Sequence, residues 1–397
     1  MLTYKSILLS IFLSTFIYLE YFNISIKWLD TFFVLSGFIL LFKLSKKELF
    51  SSGFLIGILW FWWISYSFIH YELSYLIPII IISIASIYGL LFYFIGFFKN
   101  IYLKILYIFS ISFIEPFQFN WFKIELPLIN SYLGTSKLEF LILLIITALL
   151  IQYRDSYTKL SIFGYMSIIT ILYFYNINSK VVINKPDLKI YEYQTSLSQD
   201  IKWDIKYKKD IVNDNLTVIK NAISNNYDII ILPETAFPLI LNNQENIMKE
   251  LLIYSKKISI VLGSLYQENE KYYNSTYLFS NNNMQVAHKV VLVPFGEAVP
   301  FPEKIRDWIN NTFYNGAQDY ITATKATTFN INGIKFRNAI CYEATTDDIY
   351  TNLDTNYVIA ISNNAWFTPS IQPTLQKLLM KYYSFKYDLL IYNVTNK

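Results

Sequence analysis

The sequence has one cysteine, Cys341, in 397 residues. No intrachain disulfide is therefore possible. Only two histidines are present, His70 and His288. Cys341 has no partner thiols at zinc or iron–sulfur spacing, so nothing in the sequence calls for a metal or another cofactor. Charge is also scarce, with 16% charged residues against roughly 25% in an average soluble domain. The net charge of +4 is too small to point to nucleic acid.

What the chain has instead is apolar sequence, and it is unevenly spread. Residues 1–178 carry long runs of Ile, Leu, Phe and Tyr, and residues 179–397 read as a water-facing α/β domain. Seven apolar segments are readable as membrane spans: Ile7–Tyr18, Thr31–Phe42, Gly53–Ile69, Leu76–Phe98, Ile105–Ile114, Leu138–Ile151 and Leu160–Tyr175. The second, fifth and sixth are short and need flanking polar residues to span. The first lacks a small-residue cleavage site, so it reads as a span and not a removable signal.

The loops set an orientation. One alternate set holds Lys5, Lys43, Lys46, Lys47, Lys99, Lys104, Arg154 and Lys159. The other holds only Lys27, Lys123 and Lys137. Basic residues stay on the cytoplasmic side, which puts the N-terminus inside and everything after Tyr175 outside. In a bacterium with two membranes that compartment is the periplasm. Ionisable groups are sparse within the spans, which argues against an ion-coupled transporter. Glu115, before Pro116, reads as interfacial. The aromatic loop Glu115–Lys137 has two readings, an interfacial segment shaping lipid access or a packed connector.

After residue 181, short apolar stretches alternate with polar helical ones. Strands are predicted at Leu188–Gln194, Tyr227–Leu232, Ser259–Gly263, Tyr273–Phe279, Val286–Val290, Gly333–Ile340, Tyr357–Ser362 and Leu389–Val394. Helices are predicted near Val212–Asn225, Asn246–Lys256 and Thr374–Phe385. This alternation implies an α/β or layered α-β-β-α domain.

Three stretches carry chemistry: Ile231–Pro238 with Glu234, His288–Pro300 with Lys289 and Glu297, and Asn338–Glu343 with Cys341 and Glu343. Glu234 and Cys341 each follow a predicted strand, where rigid backbone aims side chains into a crevice. A carboxylate can take the proton of a thiol as it attacks, and an ammonium can stabilise the oxyanion that forms. A second carboxylate can hold that ammonium in place. Taken singly, each residue has a structural explanation: a buried small cysteine, a turn glutamate, a solvated lysine. His288 receives no role.

Together the three stretches resemble the carbon–nitrogen hydrolase (nitrilase) superfamily, and its apolipoprotein N-acyltransferase branch most closely. The resemblance rests on Leu-Pro-Glu-Thr-Ala at 232–236, Lys-x-x-Leu-Val-Pro-Phe-Gly-Glu at 289–297 and Ile-Cys-Tyr-Glu at 340–343, in the family's order. Ser362–Phe367 and Lys202–Asp204 resemble two further blocks, and membrane spans ahead of a nitrilase domain match independently. The resemblance implies that Cys341 is the nucleophile, Glu234 the general base and Lys289 the oxyanion stabiliser. Glu297 and Glu343 would support them, and Trp203, Tyr342 and Trp366 would bind substrate. It further implies an acyl donor that is a phospholipid, phosphatidylethanolamine in the family. The acceptor would be the N-terminal diacylglyceryl-cysteine of a lipoprotein. Residues 1–178 would be the membrane domain and residues 179–397 a periplasmic catalytic domain. Relative to the family, the chain is expected to lack the last strands and final membrane helix beyond Lys397. Two alternatives stay open on sequence: a membrane-anchored amidase acting on a small C–N substrate, and an inactive, truncated homologue.

Overall fold

The computed structural model describes residues 2–70, 72–152, 170, 183–294, 296–313 and 319–397. The chain divides into two compact units. One comprises residues 1–181 with 370–386, the other residues 182–369 with 387–397.

The first unit is helical. Its helices are α1 (Tyr4–Tyr21), α2 (Lys27–Lys43), α3 (Lys46–Phe61), α4 (Ile77–Ile95), α5 (Ile101–Ile111) and α6 (Lys137–Gln152). Side chains set where they begin. Thr3 and Ser6 form a capping box at α1, Ser45 and Glu48 form another at α3, and Asn100 accepts the Tyr102 N–H at α5. Among the described residues, three helical stretches are long and apolar enough to cross a membrane: Lys46–His70, Ser74–Ile95 and Ile101–Gln118. That is fewer than seven, because α1, α2 and α6 do not meet that measure of length and apolarity. The predicted span Leu160–Tyr175 lies outside the described residues.

Helices α3 and α4 form the most extensive helix pair. The contact is close because Gly53 and Gly57 face α4. A Cβ on Gly53 would stand 2.4 Å from the Tyr88 carbonyl oxygen, and one on Gly57 2.8 Å from Ala85 Cα. Small residues four apart let two helix backbones approach in this way. Between α1 and α3, polar bonds replace water: Trp60 Nε1 donates to Ser14 Oγ at 3.0 Å and Ser52 Oγ donates to the Ser6 carbonyl at 3.1 Å.

The 115–137 loop packs inward as a connector. Trp121, Phe122, Ile124, Leu126 and Leu128 are all buried, and Phe122 sits among Trp60, Tyr88 and Phe92. Lys123 pairs with Glu115 at 2.7 Å, and the fully buried Glu125 pairs with Lys137. Helix Gln372–Tyr387, as far as Lys386, groups with this unit. Its Tyr382 hydroxyl donates to Glu125 at 2.9 Å and its Lys381 ammonium to Asn130 at 2.7 Å. Each charge that the loop buries is thus paired or hydrogen-bonded, as a low-dielectric site requires.

The second unit is built on two sheets. Its strands are β1 (Ile190–Glu192), β2 (Ile229–Ile231), β3 (Phe237–Ile240), β4 (Ser259–Glu268), β5 (Lys271–Ser280), β6 (Asn283–His288), β7 (Thr328–Ile331), β8 (Ile334–Ile340), β9 (Tyr357–Asn363) and β10 (Leu390–Asn396). One sheet runs β1-β2-β4-β5-β6, with β3 also on β4. Its first three strands are parallel, and β4, β5 and β6 form antiparallel hairpins. The other runs β10-β9-β8-β7, parallel except for β7.

Alternation along the strands makes two cores. Ile229, Ile231, Val261 and Leu278 from the first sheet meet Phe336, Ile340, Ile359, Ile361 and Val394 from the second. Ile230, Ile260 and Leu262 point the other way, onto helices α8 (Lys208–Ser224) and α9 (Glu245–Tyr254). Helix α8 has the matching stripe, Val212, Leu216 and Ile219. Helices α7 (Gln199–Trp203) and α10 (Glu303–Phe313) complete this unit. All eight predicted strands are present with shifted ends, whereas β3, β7, α7 and α10 were not read from sequence.

Candidate active site

Four strand ends supply the site. β2 runs through Leu232 and Pro233 into Glu234, β6 ends one residue before Lys289, β8 ends at Ile340, one residue before Cys341, and β9 ends at Asn363. Two of the turns are strained. Thr235 has φ +49° and Cys341 φ +55°, left-handed values that cost a residue other than glycine about 1–3 kcal/mol. Gly263 on β4 makes the first turn possible. A Cβ there would lie 2.6 Å from both Glu234 Cα and Thr235 N, so only glycine lets β4 approach this closely.

Glu234 is buried, and both its carboxylate oxygens are held. Oε1 accepts from Asn274 Nδ2 at 2.7 Å, and Oε2 accepts the Asn363 backbone N–H at 2.7 Å. Asn274 Nδ2 also donates to Glu297 Oε1 at 3.0 Å, so one amide nitrogen bridges two carboxylates. Lys289 is fully buried and pairs with Glu297 Oε2 at 2.7 Å. That oxygen also accepts the Val293 N–H at 2.9 Å. The loop from 289 to 297 is thereby closed on itself.

Burial and the neighbouring charges decide the protonation states. Desolvation raises the Glu234 carboxyl, Lys289 pulls it down, and the net shift is upward. Burial also works against the Lys289 ammonium, but Glu297 and Glu234 outweigh it and the lysine stays charged far above neutral pH. Cys341 keeps partial solvent access, yet enough protein surrounds its sulfur for desolvation, then the Glu234 charge, to push the thiol up. Lys289 and the Asn363 main chain act in the opposite direction. At neutral pH Cys341 is therefore favoured as the thiol over the thiolate.

Glu343 is buried two residues beyond Cys341. It accepts the N–H groups of Ile340 at 2.7 Å, Val290 at 2.8 Å and Val291 at 3.3 Å, tying the Cys341 turn to the lysine loop. Burial raises its carboxyl to about 7 against the pull of Lys289. Tyr342 is buried beside it. Trp203 is half-buried on α7, its indole N–H on Gln199 Oε1 at 3.1 Å, and Trp366 is half-buried in the turn after β9. His288 stacks on Tyr273 and Tyr266 and bonds Ser275, a packing environment.

The fold thus brings Glu234, Lys289, Glu297 and Cys341 within one another's electrostatic reach. The sequence reading gave no role to Asn274, Asn363 or Lys202, although the last two lie in the blocks Ser362–Phe367 and Lys202–Asp204. Lys202 Nζ donates to the Glu234 carbonyl oxygen at 3.0 Å. Asparagine and lysine are mostly surface residues, and only their hydrogen bonds to Glu234 in the fold distinguish these three. The set can deprotonate a thiol and stabilise an oxyanion, the two needs of acyl transfer through a thioester.

The family comparison agrees with this class. The carbon-nitrogen hydrolase family matches residues 201–396, and the apolipoprotein N-acyltransferase integral membrane domain matches residues 1–173. An apolipoprotein N-acyltransferase of Wolinella succinogenes is 37% identical over 98% of this chain and 92% of its own length. Those of Campylobacter jejuni and Helicobacter pylori are 37% and 35% identical, over 99% and 89% of this chain and 87% and 82% of theirs. Among solved structures, the chain is similar to a carbon-nitrogen hydrolase superfamily protein of Xanthomonas campestris. That match has a TM-score of 0.39 and 16% identity, and covers 53% of this chain and 77% of that one. The chain belongs to the apolipoprotein N-acyltransferase family, as an integral membrane enzyme with a carbon–nitrogen hydrolase domain.

Proposed function

We propose that the chain moves an acyl group from a phospholipid, phosphatidylethanolamine, through a Cys341 thioester to the α-amino group of a lipoprotein's N-terminal diacylglyceryl-cysteine. The observation that carries this reading is the buried Lys289, clamped by Glu297 beside Glu234 and Cys341. Glu234 takes the Cys341 proton as the sulfur attacks the donor's ester carbonyl. Lys289 stabilises the tetrahedral oxyanion, and collapse expels the lysophospholipid alkoxide, which takes the proton from Glu234. In the second half, the free amine attacks the thioester and Glu234 accepts a proton from nitrogen. The thiolate leaves and regains that proton as the amide forms. Tyr342, Trp203 and Trp366 would position the substrates. Both substrates are membrane-bound, so a membrane-anchored enzyme meets them at raised effective concentration. The excess of basic residues in alternate loops supports a multi-pass protein of the bacterial inner membrane with this domain in the periplasm.

The test is incubation of the purified full chain with labelled phosphatidylethanolamine. An acyl adduct on Cys341 is expected, then transfer to a diacylated lipopeptide with a free amine. Cys341→Ser should abolish both, because an alkoxide is far harder to form than a thiolate. Absence of the adduct, with turnover of a small amide instead, would favour the hydrolase reading.

A further inference from the structure

Lys202 is a buried charged group with no part in the mechanism above. It is 1% exposed at the end of α7, one residue before Trp203. Its ammonium reaches the Glu234 main chain, not the carboxylate, at 3.0 Å. The segment bearing it is tied back to the same glutamate by a second route. Asn396 Oδ1 accepts the Leu197 N–H at 2.8 Å, and its Nδ2 donates to the Leu197 carbonyl at 2.8 Å. That Nδ2 also reaches Asn363 Oδ1 at 2.8 Å. Asn363 in turn holds Glu234 Oε2 through its N–H. Leu197 to Lys202, Glu234, Asn363 and Asn396 thus form a closed ring of hydrogen bonds around the base.

We propose that Lys202 is a positioning residue for acyl transfer: it pins the main chain of Glu234 across its strained turn and places a second positive charge behind the carboxylate. This rests on the reading of Glu234 as general base. The pin has a clear object. Thr235 is left-handed and Gly263 presses on the Glu234 backbone, so a carbonyl held by nothing would let the turn relax. The charge has one as well. Lys202 faces Glu234 from the turn after β2 and Cys341 from the turn after β8. Glu234 itself feels Lys289, Glu297 and Lys202. Burial lowers the Lys202 ammonium to about 7, with both neighbours opposing that fall. Below that pH it is cationic and favours the ionised base, and above it the bias fades.

Two variants separate the parts. Lys202→Met loses the donor and the charge, and Lys202→Gln loses the charge but can keep a donor. The measurement is the rate of Cys341 acylation in the full-length protein by labelled phosphatidylethanolamine, across pH 5 to 9, with Glu234→Gln as control. Lys202→Met should acylate about tenfold more slowly on the plateau, and its acid limb should move up by about half a pH unit. Lys202→Gln should show the same limb shift with most of the plateau rate restored, and it carries the test if the Met variant does not fold. An unmoved acid limb in both variants, or a Met variant within twofold of wild type throughout, would overturn the proposal. If Glu234→Gln acylates at the wild-type rate, the base assignment fails instead, whatever Lys202 does.

Discussion

Asn274→Leu is the sharpest probe of how Glu234, the proposed base, is set. The substitution keeps the side chain's shape and removes only its polar atoms. Asn274 is buried, and its Oδ1 has no hydrogen-bond partner among the described residues. The substitution therefore removes only the hydrogen bonds that Nδ2 donates to Glu234 and Glu297. Glu297 keeps the Val293 N–H and Lys289, whereas Glu234 Oε1 is left facing apolar surface. A hydrogen bond to a charged group is worth about 1.5–3 kcal/mol. One nitrogen shared by two acceptors argues for the lower end, about 1.5 kcal/mol at Glu234. At about 1.4 kcal/mol per pKa unit, that raises the Glu234 carboxyl by roughly one unit. The sign follows from the state the donor favours. An N–H donor stabilises the carboxylate, so its loss favours the acid. A general base works ionised, so the acid limb of single-turnover Cys341 acylation should shift up by about one pH unit. At a pH below the wild-type midpoint, the variant should be about tenfold slower. An unmoved midpoint would refute this reasoning. So would a rate loss equal at every pH, which would mean that Asn274 positions without tuning charge.

Gly263→Ala should lower acylation at least tenfold and destabilise the protein by about 1–3 kcal/mol, because the new methyl meets backbone at 2.6 Å and must displace the Glu234 turn; wild-type turnover would show that the turn can yield. Glu343→Gln tests a pH effect on stability. The carboxyl sits at about 7 in the fold, above its unfolded value, so the native state holds the extra proton and stability falls as pH rises through this window. Thermal unfolding between pH 5 and 7.5 should show a shallower fall in the Gln variant, and an unchanged slope would assign it to other groups. Gly57→Leu should lower the unfolding midpoint in detergent, since its first side-chain carbon would lie 2.8 Å from Ala85 Cα; an unchanged midpoint would mean that α3 and α4 can separate at no cost.

The parts readable from the sequence were those written in local pattern. Long uncharged runs mark the membrane helices, and Ile229–Ile231 or Val358–Ile361 mark strands buried on both faces. Elements that failed to announce themselves are short or lack such a pattern. β3 is four residues long and contains Pro238, and its ladder with β4 is irregular. β7 is four residues of alternating burial. Helix α10, Glu303–Phe313, carries apolar residues at helical spacing, Ile305, Trp308 and Ile309, but it is short and buries none of them.

The site divides along the same line. Glu234, Lys289, Glu297 and Cys341 stand in contiguous blocks whose order could be matched to a family. Their partners carried no such assignment, although Lys202 and Asn363 fall inside the blocks Lys202–Asp204 and Ser362–Phe367. Asn274 lies 40 residues from Glu234 and Asn363 lies 129 away. Asn363 acts through its backbone N–H, which no residue identity encodes. Lys202 is beside a recognisable tryptophan, but nothing local says that it is buried. A carboxylate as buried as that of Glu234 needs donors on both oxygens and a fixed main chain. The fold supplies them from β5, β9 and α7, three elements that meet only when the two sheets are packed. What sequence blocks point to is therefore the proposed reacting groups, and what tertiary packing adds is the control of their charge. The latter is where variants should alter pH dependence without abolishing turnover.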